Sequence, residues 1–198
     1  MDFIAPNKEI IMQNAEAQID MFTGALSGSV SVSTKRLGDL NGVFADEAAR
    51  ASMPQDTAVY TVHAHVAERE GTPGGLFFGT SFIHPGMVGE EFFMTRGHFH
   101  TRAETAEYYW CLQGEGILLL MDRDRRCTAQ RMTPGSLHYI PGHVAHRLVN
   151  TGSRVLAVGA CWPSDAGHDY RTIEEQGFSA RVVLRNGHAA VLAMEEGI

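Results

Sequence analysis

From Thr57 to Cys161 the chain is a series of short apolar runs cut at even intervals by turn residues. Runs at 59–66, 76–83, 107–112, 117–121, 127–132, 137–140, 147–150 and 155–161 are separated by such breaks as Gly71-Thr72-Pro73-Gly74-Gly75, His84-Pro85-Gly86, Gln113-Gly114-Glu115-Gly116, Thr133-Pro134-Gly135-Ser136, Pro141-Gly142 and Thr151-Gly152-Ser153. Segments this short cannot host helices of ordinary length. Strands at such spacing predict an all-β barrel or jelly roll. Near the C-terminus Asn186-Gly187 joins apolar runs at 180–185 and 188–194, a strong hairpin signal. The first 56 residues differ in pattern. A short helix is expected over 8–18, a short strand over 29–33, and a second helix over 46–52 with Asp46 at or near its N-cap and Pro54 as its stop. The predicted organisation is an N-terminal arm, 1–56, packed on a barrel, 57–198, which ends in the hairpin.

A length of 198 residues with 44% hydrophobic content suits one domain with a buried core. The formal net charge of −7 argues against nucleic acid or an anionic membrane as partner. No apolar run reaches the roughly 18 residues that span a bilayer. Residues 1–6 lack the basic and apolar regions of a signal peptide, so a cytoplasmic location is expected. Cys111, Cys127 and Cys161 are odd in number and widely spaced, and read as reduced core residues.

The chemistry concentrates in Gly97-His98-Phe99-His100, with Glu107 seven residues on and His146 after the Pro141-Gly142 turn. Histidines at i and i+2 on a strand share one face, and a carboxylate can return to that face across a loop. Three imidazoles and one carboxylate suit a divalent transition ion such as iron, manganese, nickel or zinc. An isolated His-x-His is a weak signal. Here Tyr108-Tyr109-Trp110, the Gly114-Glu115-Gly116 hairpin, the Pro141 to His146 turn and Asn150 follow in order, and that succession resembles the two-part pattern of the cupin superfamily.

The resemblance narrows further. Glu91-Phe92-Phe93-Met94-Thr95-Arg96-Gly97-His98-Phe99-His100-Thr101 is similar to the cupin-type glucose-6-phosphate isomerases known best from archaea. So are residues 141–152, Asp165-Ala166-Gly167-His168-Asp169-Tyr170, and the upstream Arg36-Leu37, Asp39-Leu40, Gly42, Phe44 and Asp46. The similarity runs over about residues 34–186 and implies a cupin double-stranded β-helix. Three departures stand out: a longer N-terminus, a small insertion at 72–75, and His63, His143 and Trp162 where that family often has tyrosines lining the sugar site.

That resemblance implies a glycolytic and gluconeogenic enzyme that interconverts glucose 6-phosphate and fructose 6-phosphate. It implies one divalent ion per subunit, iron(II) first and manganese, nickel or zinc as alternatives, held by His98, His100, Glu107 and His146. Such an ion could bind the C1 and C2 oxygens of the open sugar and stabilise an enediolate. Glu107 is the candidate base, and a direct hydride shift remains open beside proton transfer. His168 is assigned to ring opening as acid or base, with Tyr170 near the sugar. Tyr109 shares a strand face with Glu107 and is expected to line the cavity. With no P-loop present, Thr95, the Gly97 N–H, Ser81, Thr80 and His63 are the expected phosphate cradle, and His143 and Trp162 the expected sugar contacts. A homodimer is expected from the family and from the edge strands a barrel leaves. The alternatives are a mannose 6-phosphate isomerase, another metal-dependent cupin enzyme such as a dioxygenase, or a sugar-binding cupin without turnover.

Overall fold

The computed structural model describes residues 12–194. The start of the helix expected over 8–18 lies outside the described residues. Residues 12–16 form no helix, and β1 (Ala17–Ile19) pairs antiparallel with β2 (Leu26–Gly28). The turn that joins the two strands is built on Asp20. Its carboxylate accepts from the N–H groups of Phe22 at 2.8 Å and Thr23 at 3.0 Å, a local turn that competes with helical pairing.

The strand expected over 29–33 is β3 (Ser31–Arg36), which starts later and runs further. A single 3₁₀ turn follows at Leu37–Asp39. Helix α1 (Glu47–Ser52) forms where Asp46 predicts it, with the Asp46 carboxylate accepting from Ala49 N at 2.8 Å. Leu37, Leu40 and Phe44, between β3 and α1, are buried in the main core.

The remaining strands among the described residues are β4 (Ala58–His65), β5 (Leu76–Ile83), β6 (Met87–Val88), β7 (Glu91–Phe92), β8 (Glu107–Gln113), β9 (Gly116–Met121), β10 (Cys127–Met132), β11 (Leu137–Ile140), β12 (Ala145–Asn150), β13 (Leu156–Pro163), β14 (Ala180–Arg185) and β15 (His188–Ala193), with α2 (Arg171–Gln176) before β14. One sheet runs β11-β8-β13-β5-β4-β3 and a second β10-β9-β12. Their inner faces share one core: Val59, Ile83, Cys111, Leu156 and Val158 from the first meet Leu118, Leu120, Met132 and Leu148 from the second. This is the two-sheet jelly-roll barrel that the strand spacing predicts. The other face of β9 is buried as well, with Leu119 and Met121 under Phe99, Ile173 and Phe178. A further sheet, β15-β14-β7-β6, contains the C-terminal hairpin. Its turn carries Asn186 at φ 51° and Gly187 at φ 78°, the left-handed pair that a two-residue hairpin needs.

All three cysteines are free thiols. No helix among the described residues is long and apolar enough to cross a membrane.

Candidate metal centre

His98 and His100 do not sit on a regular ladder strand. They lie on an extended segment fixed by isolated bridges, Met94 to Val149, His98 to His146 and Phe99 to Asp169. His98 and His146 exchange both backbone hydrogen bonds, 3.3 and 3.1 Å, so their side chains leave the same face side by side. Gly97 makes that approach available. It has φ 75°, and a Cβ there would lie 2.7 Å from the Phe178 ring and 3.0 Å from the His146 carbonyl. Glu107 is the first residue of β8, on the opposite sheet.

These pieces bring one donor atom from each of His98, His100, Glu107 and His146 within 4.8 Å of one another. His146 Nε2 lies 2.7 Å and His100 Nε2 3.4 Å from Glu107 Oε1. The 2.7 Å contact falls outside hydrogen-bond geometry, so Glu107 Oε1 and His146 Nε2 are buried polar atoms with no hydrogen-bond partner. Orphans of this kind are costly unless a cation satisfies them. His100 Nδ1 faces the Thr105 carbonyl at 3.0 Å and the Thr105 hydroxyl at 2.9 Å. A proton held there leaves the Nε2 lone pair turned to the cluster, the outer support that metal-binding imidazoles have. Burial, with the neighbouring imidazoles, pulls His98 well below its ordinary pKa. Burial also pushes the Glu107 carboxyl up, but His146 and His100 more than reverse it and hold it at about 2. Burial pulls His100 down as well, but the Glu107 carboxylate more than reverses that and raises its pKa. Neutral His98 and ionised Glu107 are in the states in which such groups coordinate a divalent ion, and three imidazoles around one carboxylate fit one.

The cluster forms one wall of a cavity of about 280 Å³. Of the residues singled out in the sequence, Ser81, Thr95, Gly97, Tyr109, Trp162, His168 and Tyr170 line it together with His98, Glu107 and His146. The His168 ring is 4.4 Å from that of His98 and is stacked on Tyr170, 5.7 Å away and 6° from parallel. Burial lowers the His168 pKa, which favours a neutral ring able to accept a proton. Burial, with the Glu107 carboxylate nearby, drives the Tyr109 phenol well above its ordinary pKa. Thr95 Oγ1 accepts from Leu148 N at 3.0 Å, which fixes its side chain.

Three expected contacts are placed elsewhere. Gly79 and Ser81 face the cavity, so Thr80 between them faces the other way. The same alternation gives Val62 and Ala64 the cavity face of β4 and turns His63 outward. There His63 Nδ1 accepts from Leu26 N at 3.4 Å and the ring packs edge-on against Phe82. His143 sits in the turn before β12 at φ 65°, its N–H bonded to the Ala103 carbonyl at 2.5 Å, and it does not line the cavity. Conversely, Lys35 and Tyr60 line the cavity without having been singled out. Both alternate correctly within their strands, but which face of β3 and β4 turns inward depends on pairing that the sequence does not display. Thr105 was passed over as well, because half of its contact is made by a backbone carbonyl.

A family model described as glucose-6-phosphate isomerase (GPI) matches residues 34–196. Glucose-6-phosphate isomerase of Thermococcus litoralis is 42% identical over 176 residues, 88% of this chain and 91% of that protein. Its counterpart from Pyrococcus furiosus is 41% identical over 177 residues, 88% of this chain and 92% of that protein. The similarity extends to bacteria: the glucose-6-phosphate isomerase of Sinorhizobium medicae is 36% identical over 84% of this chain and 78% of its own length.

Proposed function

The chain belongs to the cupin-type glucose-6-phosphate isomerase family, and from that premise we propose that it interconverts glucose 6-phosphate and fructose 6-phosphate in a metal-dependent reaction. The observation that carries this reading is the quartet of His98, His100, Glu107 and His146, the last three buried and His98 partly so, opening onto a cavity of about 280 Å³. A divalent ion held by those four side chains would supply Lewis-acid polarisation of the sugar oxygens at C1 and C2. Iron(II) is the first choice and manganese, nickel or zinc the alternatives, since the donor set contains no thiolate.

The protein's own groups divide the remaining work. Glu107 is ionised and turns Oε1 to the imidazoles. Its second oxygen is our candidate to move the proton between the two carbons. His168, whose ring packs 4.4 Å from that of His98, is assigned the proton of the sugar ring oxygen and hydroxyl during opening. Ser81, Thr95 and the Gly97 N–H supply neutral donors for the phosphate. Tyr109, Trp162 and Tyr170 wall the carbon chain.

The test is a coupled assay of fructose 6-phosphate turnover before and after treatment with EDTA. Activity should vanish with chelation and return with iron(II), manganese or nickel. Full activity after exhaustive chelation would overturn the metal's part in it. We further propose a homodimer, because β3 and β11 end the main sheet and Tyr108, Leu137 and Tyr139 are exposed beside one of those edges. Sedimentation that finds only a 21.7 kDa species at micromolar concentration would contradict it.

A further inference from the structure

The neutral donors assigned to the phosphate can orient it, but they do not balance a dianion inside a chain of net charge −7. A cation is available on β3. In the β3–β4 ladder Ser33 lies opposite Val62 and Lys35 opposite Tyr60. All four line the cavity, whereas Thr34 and Thr61 meet hydroxyl to hydroxyl at 3.0 Å on the other face. Lys35 is therefore directed to the cavity by register.

It is exposed to water at the same time, and makes no ion pair among the described residues. The other lining residue with a cationic side chain, Arg147, is committed. Its Nε and Nη2 both donate to the Arg96 carbonyl, at 3.2 and 2.5 Å, and its guanidinium stacks 4.4 Å from the Phe178 ring. The cavity wall is thus bipolar: a carboxylate among imidazoles at Glu107, and an uncommitted ammonium on β3. A sugar phosphate is bipolar in the complementary sense, with oxygens to offer the metal ligands' end and a dianion at the other.

We propose that Lys35 is a specificity-determining residue of this enzyme: its ammonium recognises the phosphate charge of the substrate, and so separates phosphorylated from neutral sugars and sets which end enters first. The inference rests on the sugar-phosphate reading above. An ammonium on a flexible four-carbon stem acts as a point charge open to water, which suits capture and orientation more than bond-making.

The test uses metal-loaded protein and two non-reacting probes, glucitol 6-phosphate and glucitol, titrated calorimetrically. Lys35→Met should weaken glucitol 6-phosphate about fivefold or more, the scale of one partly screened charge pair, and leave glucitol unchanged. Lys35→Arg should retain binding to within about twofold, and the salt dependence of binding should flatten in Lys35→Met but not in Lys35→Arg. In the isomerase assay Lys35→Met should raise KM with kcat kept. Equal binding of glucitol 6-phosphate by wild type and Lys35→Met overturns the proposal, as does a wild type that binds neither probe. A wild type that binds glucitol 6-phosphate through Lys35 yet does not turn over fructose 6-phosphate leaves this assignment standing and removes the isomerase reading.

Discussion

At the scale of single residues, Glu107 is asked to do two things, and Glu107→Gln separates them. The amide keeps the shape and one oxygen donor but loses charge and basicity. If Glu107 moves the proton, kcat should fall by orders of magnitude in samples that still carry metal. Metal-loaded Glu107→Gln turning over near the wild-type rate would shift the proton to His168 or favour a hydride shift. Thr105 offers a quieter test. Its hydroxyl and carbonyl both face His100 Nδ1, and Thr105→Val removes only the hydroxyl. Metal affinity should drop about tenfold, at the lower end for a support behind a ligand, because the carbonyl remains. Unchanged affinity by competition with a chromogenic chelator would show that the carbonyl alone orients the ring. The quartet itself was legible in the sequence because its members recur at fixed offsets around recognisable turns. The outward facing of Thr80 and His63 and the inward facing of Lys35 were not legible in the sequence for one shared reason. Alternation says that Thr80 and Ser81 face opposite ways, but only strand pairing says which of them faces in.

At the scale of elements, strands bounded by Gly and Pro were read with little error; β5, β10, β11 and β14 have the expected limits. The two-residue strands β6 and β7 are too short to carry a period. Helix α2 was overlooked although its boundaries are written in the chain. Asp169 accepts from Thr172 N at 3.2 Å ahead of it, and Gly177 closes it at φ 63°. The segment of His98 and His100 reads as a strand by alternation, yet it is held by isolated bridges, because Gly97 and the contacts to Asp169 and His146 replace a continuous ladder. Asn150 shows how one side chain can tie elements together. Fully buried at the end of β12, it donates to the carbonyls of Ile83 and Arg154, each at 2.8 Å, and accepts from Gly152 N at 2.9 Å. Asn150→Ala leaves those backbone groups without partners and should cost about 2–4 kcal/mol. Urea unfolding would measure it. A loss under about 0.5 kcal/mol would mean that water takes over the bonds.

For the whole molecule, the candidate centre sits where the two sheets of the barrel meet. Glu107 comes from the β8 sheet, His146 from the β12 sheet, and His98 and His100 from the segment bridged to β12. An ion bound by all four joins the sheets through side chains that otherwise leave Glu107 Oε1 and His146 Nε2 buried and orphaned. Ligand linkage then makes global stability depend on metal. At a free ion concentration a hundredfold above Kd, binding to the native state alone adds about 2.7 kcal/mol. In a chain of this size each kcal/mol moves Tm by roughly 2–4 °C, so chelation should lower Tm by about 5–10 °C. The increment should grow with the logarithm of free metal, which a fixed structural effect of EDTA would not do. His146→Ala removes one ligand and with it the increment. Its Tm should be nearly the same with and without metal, whether or not the substitution itself destabilises the fold. Calorimetry on wild type and His146→Ala across a metal series decides the matter. A wild-type Tm indifferent to metal, or a His146→Ala protein that keeps the full metal-dependent rise, would separate the quartet from the stability of the barrel.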